Sequence, residues 1–238
     1  MSPATVLGFD TATPDVAVAV MRDGDLVSEA WTPADGRPRH ATELLPAIER
    51  AASEAGGWEA VDAIAVGVGP GSFTGLRIGI VTARALGQAL SKPLIGVSTL
   101  DALAAGIAAR PAAAGGRPVL AVIDARRSEV FSALHDSGGQ RIWDPFVAER
   151  AQLADRVALL TEPPLAGGDG SLRFRLDLER AGAEVLPDAD SGHRLSARQT
   201  CLLSRGLPES APEEIRPNYL RPPDAQLWLE RDHGTGRG

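Results

Sequence analysis

The chain has 238 residues, 44% of them hydrophobic and 23% charged, with a formal net charge of −7 and one cysteine. That length supplies one large core or two of roughly 100–120 residues each. The lone Cys201 excludes an internal disulfide framework and a cysteine-rich zinc site, and the negative charge argues against a protein built mainly to grip a phosphate backbone. No apolar run is long enough for a membrane span, and Met1 to Phe9 carries no basic and then apolar leader. A cytoplasmic protein without a membrane partner is expected.

In chain order, Val6–Phe9 and Val16–Met21 read as strands joined by a turn, Asp10-Thr-Ala-Thr-Pro-Asp15. Asp23-Gly24 then turns into a third strand, Leu26–Thr32. Thr42 is the expected N-cap of a helix with an apolar stripe of Leu44, Leu45, Ile48, Ala51 or Ala52, and Ala55. Pro46 is tolerable near its start, and Gly56-Gly57 ends it. A buried strand, Ala63–Val68, leads through the glycine-rich turn Gly69–Gly75 into a second helix, Leu76–Leu90. Leu94–Gly96 reads as a short strand and Thr99–Ala109 as a third helix. Residues 110–118 form a Pro/Gly/Ala linker.

After the linker the pattern restarts. Val6 to Val20 lies over Leu120 to Leu134 without a gap, with Asp10 over Asp124, and Gly24 and Gly138 then fall in the same turn. An internal duplication follows, the repeat being a hairpin with its helices. Further helices are expected over Gln152–Leu160, Ser171–Ala181 and Ser196–Ser204, with a short apolar stretch at Pro164–Ala166 and a Gly167-Gly-Asp-Gly170 loop. The expected class is α/β, a duplicated ribonuclease-H-like fold of the actin, sugar-kinase and Hsp70 kind. Its units are residues 1–109 and 119–221, followed by a partly disordered tail, 222–238.

In that architecture two hairpin turns clamp a nucleotide, and glycine lets backbone N–H groups approach the phosphates. Here Asp10-Thr-Ala-Thr and Asp124-Ala-Arg-Arg127 contain no glycine. Asp10, Asp124, Arg126 and Arg127 are therefore at most a remnant of an anion site. The two arginines either bind an anion or pair with Asp124 or Glu129. The stretch Gly69-Pro-Gly-Ser-Phe-Thr-Gly-Leu-Arg-Ile-Gly79 lacks the Gly-Lys-Ser/Thr ending of a phosphate loop. Gly75, Gly79, Ala83 and Gly87 recur every four residues, a face that admits close approach of another backbone. Spacing alone leaves open whether that neighbour is the chain's own sheet or a second chain. The histidines are far apart, Ser72 and Thr74 have no local base, and Cys201 reads as a core thiol.

Together, Asp10-Thr11, His40-Ala-Thr-Glu-Leu-Leu-Pro46, Gly69 to Gly79, Gly96-Val-Ser-Thr-Leu100, Asp124-Ala-Arg-Arg127 and Pro217-Asn-Tyr-Leu-Arg221 resemble the TsaB (YeaZ) family. The resemblance implies a non-catalytic subunit that supports the TsaD transferase, with TsaE, in forming threonylcarbamoyladenosine at position 37 of ANN-decoding tRNAs. It implies no cofactor, and tRNA contact only through the complex. TsaD carries a metal-binding His-x-x-x-His, whose positions fall here on Thr99 and Leu103. The resemblance assigns the first two helices to an interface with TsaD or with a second copy. That interface would comprise His40, Leu44, Leu45, Ile48, Gly75, Arg77, Gly79, Ala83 and Gly87. The rival reading, an active actin-fold phosphotransferase or hydrolase, needs the phosphate-turn glycines and a placed carboxylate or metal pair.

Overall fold

The computed structural model describes residues 4–221; the expected disordered tail, 222–238, lies outside them. Two five-stranded mixed sheets form the framework. The first contains β1 (Thr5–Asp10), β2 (Val16–Arg22), β3 (Asp25–Thr32), β4 (Ala63–Gly69) and β5 (Leu94–Ser98), in the order β3-β2-β1-β4-β5. The second contains β6 (Val119–Arg126), β7 (Glu129–His135), β8 (Arg141–Glu149), β9 (Leu165–Gly167) and β10 (Glu184–Val185). Its order, β8-β7-β6-β9-β10, repeats the first. In each, an antiparallel meander adjoins two parallel strands.

The repeat is real, but it needs a one-residue slip. Leu7 pairs with Val20 in the first sheet and Leu120 with Leu134 in the second. The offset is therefore 113 residues along β1 and β6 but 114 along β2 and β7. Packing agrees: Leu7, Phe9 and Val20 lie in one outer-layer cluster, Leu120, Val122 and Leu134 in the other. The register counterpart of Asp10 is thus Ile123, and the gapless match of Asp10 to Asp124 fails. A strand shifted by one residue turns every side chain to the opposite face, and only the pairing fixes which face that is.

The helices are α1 (His40–Glu54), α2 (Phe73–Leu90), α3 (Thr99–Ala108), α4 (Arg150–Ala158), α5 (Asp169–Arg173), α6 (Arg175–Arg180) and α7 (Ala197–Ser204). Helix α1 starts two residues before the expected cap. Arg39 occupies the cap position without a side-chain bond, and the Thr42 hydroxyl donates to Arg39 O at 3.1 Å. The helix expected over 171–181 is two short helices that break at Phe174, where φ is −114° and ψ is 27°. Strands β8 and β10 lie at the sheet edge. Pro145 in β8 hides a strand from a sequence reading, although an edge tolerates proline.

Helices α1 and α2 cover the outer face of the first sheet; α4 and α6 cover that of the second. The last helix of each half crosses over. Leu100, Leu103 and Ile107 of α3 pack with Val119, Ala121 and Ile123 of β6, and Ala197 and Cys201 of α7 pack with Val6, Ala17 and Ala19 of the first sheet. From Ala197 on, the chain packs against the first half. Ser210 bridges Leu94, Ile215 enters the first core, and Asn218 N donates to Val68 O at 2.7 Å. Cys201 is 1% exposed beneath Gly8, and burial pushes its thiol up to about 12. It is a core residue, as expected.

Candidate functional site

The glycine block finds its explanation in the turn after β1. A Cβ at Gly67 would overlap the Asp10 carboxylate, one at Gly75 the Thr11 carbonyl, and one at Gly79 the Thr11 hydroxyl. At Gly71 it would meet Ala12 at 2.5 Å. The block folds its backbone around Asp10-Thr-Ala-Thr13 at distances only glycine permits. Hydrogen bonds fix the approach: Ser72 N donates to Ala12 O at 2.7 Å and Thr11 Oγ1 to Gly75 O at 2.8 Å. Ser72 caps α2, accepting from Gly75 N at 3.3 Å.

Asp10 is sealed inside this wrapping at 1% exposure. Its Oδ1 accepts from Ala12 N and its Oδ2 from the Thr99 hydroxyl, each at 2.8 Å, and Thr99 Oγ1 in turn accepts from Gly69 N at 3.2 Å. Burial pushes the carboxyl up to about 6, against these hydrogen bonds, which lower it. An acid raised in the folded state from 3.8 to about 6 stabilises the fold fully below the lower value. That stability is lost as pH rises through the upper one. Asp10→Asn removes the dependence. Its stability relative to the parent, read by urea denaturation, should improve by about 2 kcal/mol between about pH 4 and about pH 7.

The second turn is closed by its own side chains. Asp124 Oδ1 accepts from Arg126 N at 2.9 Å, and Asp124 Oδ2 meets Arg173 Nη1 at 2.6 Å and Arg126 Nη1 at 3.4 Å. Arg126, Arg127 and Ser128 all have positive φ, between 51° and 66°. Arg126 thus pairs with Asp124, one of the two carboxylates within the turn's reach; Glu129 instead takes Arg221 at 2.5 Å. Sequence reasoning did not single out Asp169, although it sits in the Gly167-Gly-Asp-Gly loop. Asp169 Oδ1 accepts from Asp124 N at 3.0 Å, and burial pushes its carboxyl up to about 6. The two turns face a cavity of about 370 Å³ lined by Thr13, Phe73, Asp124, Arg126, Asp169 and Tyr219.

The donor set here does not suit a transition metal. Thr99 is engaged with Asp10, and Leu103 is 1% exposed in the core beneath α3. Among the described residues no group of three His, Cys, Asp or Glu could hold a metal ion.

Most of the expected partner face turns inward. Leu44, Ile48 and Ala83 belong to the first core, and Gly87 lies over Leu94. His40 is 3% exposed and donates from Nε2 to Thr13 O at 2.8 Å, so it braces the first turn. The stripe Gly75, Gly79, Ala83 and Gly87 therefore faces the chain's own turn and sheet, which corrects its assignment to a partner. What α1 and α2 leave outside is Leu45, 48% exposed, and Val81, 63% exposed, with Ile78 partly covered. Arg77 is exposed too, stacked at 3.8 Å over Phe73 and donating to the Tyr219 hydroxyl at 3.2 Å. The sequence signal for Val81 is an apolar residue on the helix face away from the glycine stripe.

The repeated sheets and crossed last helices define a class: the duplicated actin, sugar-kinase and Hsp70 fold. A ROK hexokinase structure from Thermus thermophilus shares this fold, with a TM-score of 0.50 at 18% identity over 85% of this chain and 99% of that one. Closer likeness narrows the class. The YeaZ structure from Pseudomonas aeruginosa has a TM-score of 0.72 at 30% identity, covering 92% of this chain and all of that one. The tRNA threonylcarbamoyladenosine biosynthesis protein TsaB of Escherichia coli is 38% identical over 140 residues, 58% of each chain. A family model described as TsaD, tRNA N6-adenosine threonylcarbamoyltransferase, matches residues 31–175. The chain belongs to the TsaB/YeaZ family.

Proposed function

We propose that the chain acts in the biosynthesis of threonylcarbamoyladenosine in tRNA, as a non-catalytic subunit that docks on the TsaD transferase. The observation that carries this reading is the hydrogen bond from Thr99 to the buried Asp10. The position matched to a metal-binding histidine of the transferase is thereby committed to the chain's own first turn. The second turn supports it, because Asp124 bonds its own backbone where a phosphate-binding turn presents free N–H groups. The outer face of α1 and α2, with Leu45 and Val81, is the docking surface for TsaD or for a second copy. TsaE joins the pair, and tRNA is engaged through the complex. Among the described residues no helix is long and apolar enough to cross a membrane. The test is threonylcarbamoyl transfer to tRNA in vitro. The chain alone should show no transfer, TsaD alone little, and the two together full activity. Transfer by the chain alone would overturn the non-catalytic reading.

A further inference from the structure

Phe73, Arg77 and Val81 follow one another at four-residue spacing, so they share one face of α2, each side chain leaning back over the one before it. Arg77 is exposed, and its guanidinium carbon lies 3.8 Å from the centre of the Phe73 ring. Its Nε donates to the Tyr219 hydroxyl at 3.2 Å, and the Tyr219 ring packs in turn on Phe73, with 5.0 Å between centroids and 33° between planes. The chain brings Tyr219 here through its neighbour, Asn218, whose N–H donates to Val68 O in β4 at 2.7 Å. A long side chain on an open helix face ordinarily samples many rotamers. This one is held from two sides, by a ring beneath it and a hydroxyl at its edge.

The terminal nitrogens, Nη1 and Nη2, are left over. Among the described residues neither has a hydrogen-bond partner, and no carboxylate pairs with Arg77. Other arginines of α1 and α2 are engaged. Arg84 gives Nε to Ile215 O at 3.0 Å and Nη2 to Glu213 O at 3.2 Å, and Arg39, at the start of α1, pairs with Glu43 at 2.9 Å. A guanidinium presents its N–H groups in a planar fork that matches the two oxygens of a carboxylate. A phosphate backbone calls for a row of free cations, and the next arginine along α2 is not free. A single held fork beside an exposed valine is the donor pattern for one acidic side chain in a protein interface.

We infer that Arg77 is the polar specificity contact of the docking face, its Nη1–Nη2 fork taking one carboxylate side chain of TsaD bidentately beside the apolar contact at Val81. Phe73 and Tyr219 are positioning residues that hold the fork in place before association, so less side-chain freedom is lost on binding. A partner surface without an acid at this point would cover the guanidinium and leave it unpaired, which selects against it. The inference rests on the proposed docking of TsaD on α1 and α2.

The test is calorimetric titration of the full chain into TsaD from the same source, with threonylcarbamoyl transfer to tRNA read alongside. Arg77→Ala should bind at least about tenfold more weakly. Arg77→Lys keeps the charge but loses the fork, and should recover little of that affinity. Tyr219→Phe keeps the ring and releases Nε; it should weaken binding about threefold in the parent and add nothing to Arg77→Ala. Arg77 and Tyr219 are both exposed, so these variants should melt with the parent. Added salt should weaken the parent more steeply than Arg77→Ala. Parental affinity in Arg77→Ala, with Val81→Glu impaired, would overturn the assignment and leave docking on α2 standing. Full affinity in Arg77→Lys would reduce the fork to a plain charge and overturn it as well. Unchanged TsaD affinity with weaker retention of tRNA by the assembled pair would give Arg77 to a phosphate instead. If Val81→Glu, Leu45→Glu and Arg77→Ala all bound as the parent does, the docking reading itself would fall.

Discussion

Gly75→Ala is expected to destabilise the isolated chain by about 3 kcal/mol or more, the upper end of overpacking effects. The added methyl would overlap the backbone carbonyl of Thr11 and press on His40, whose Cε1 lies 3.0 Å from its position. Neither yields easily. Thr11 is held by its own bond to Gly75 O, and His40 by its bond to Thr13 O. In a chain of this size the melting temperature should fall by about 6–12 °C. Ala85→Leu, on the exposed side of the same helix, is the control and should shift stability by no more than about 0.5 kcal/mol. If Gly75→Ala melted with the parent yet lost its affinity for TsaD, the small-residue stripe would face the partner after all.

Val81→Glu should do the reverse. Val81 is 63% exposed, so a carboxylate there disturbs nothing in the isolated chain and its melting temperature should stay put. At the centre of an interface it buries an unpaired charge. The expected loss in TsaD affinity is one to two decades, about 1.4–3 kcal/mol, read by calorimetry, with tRNA modification falling in parallel. Leu45→Glu on the neighbouring helix should act in the same direction. Full TsaD affinity in both variants would remove the outer face of α1 and α2 from the proposed interface. The pair of substitutions separates the two faces of α2 by opposite readouts, stability for one and association for the other.

Most of the elements, their alternation and the duplication are determined by the sequence alone, the edge strands β8 and β10 and the break at Phe174 excepted, because apolar periodicity and turn chemistry are local properties that a 10- to 15-residue window already contains. The family-specific block at Gly69 to Gly79 is likewise legible as it stands. Orientation is different. Four small residues at four-residue spacing announce a close approach, but they carry no mark of what approaches. Only the folded chain shows that Thr11, His40 and Leu94 do so. The same holds for Asp10 and Asp124, which align in the sequence yet differ in register once β6 and β7 pair. Asp169 and His135 acquire their character from burial between segments 45 and 34 residues away from their partners Asp124 and Asp101. Desolvation and long-range hydrogen bonding are properties of the assembled core, so no local pattern encodes them, and tertiary structure decided which faces of this chain are closed and which remain open.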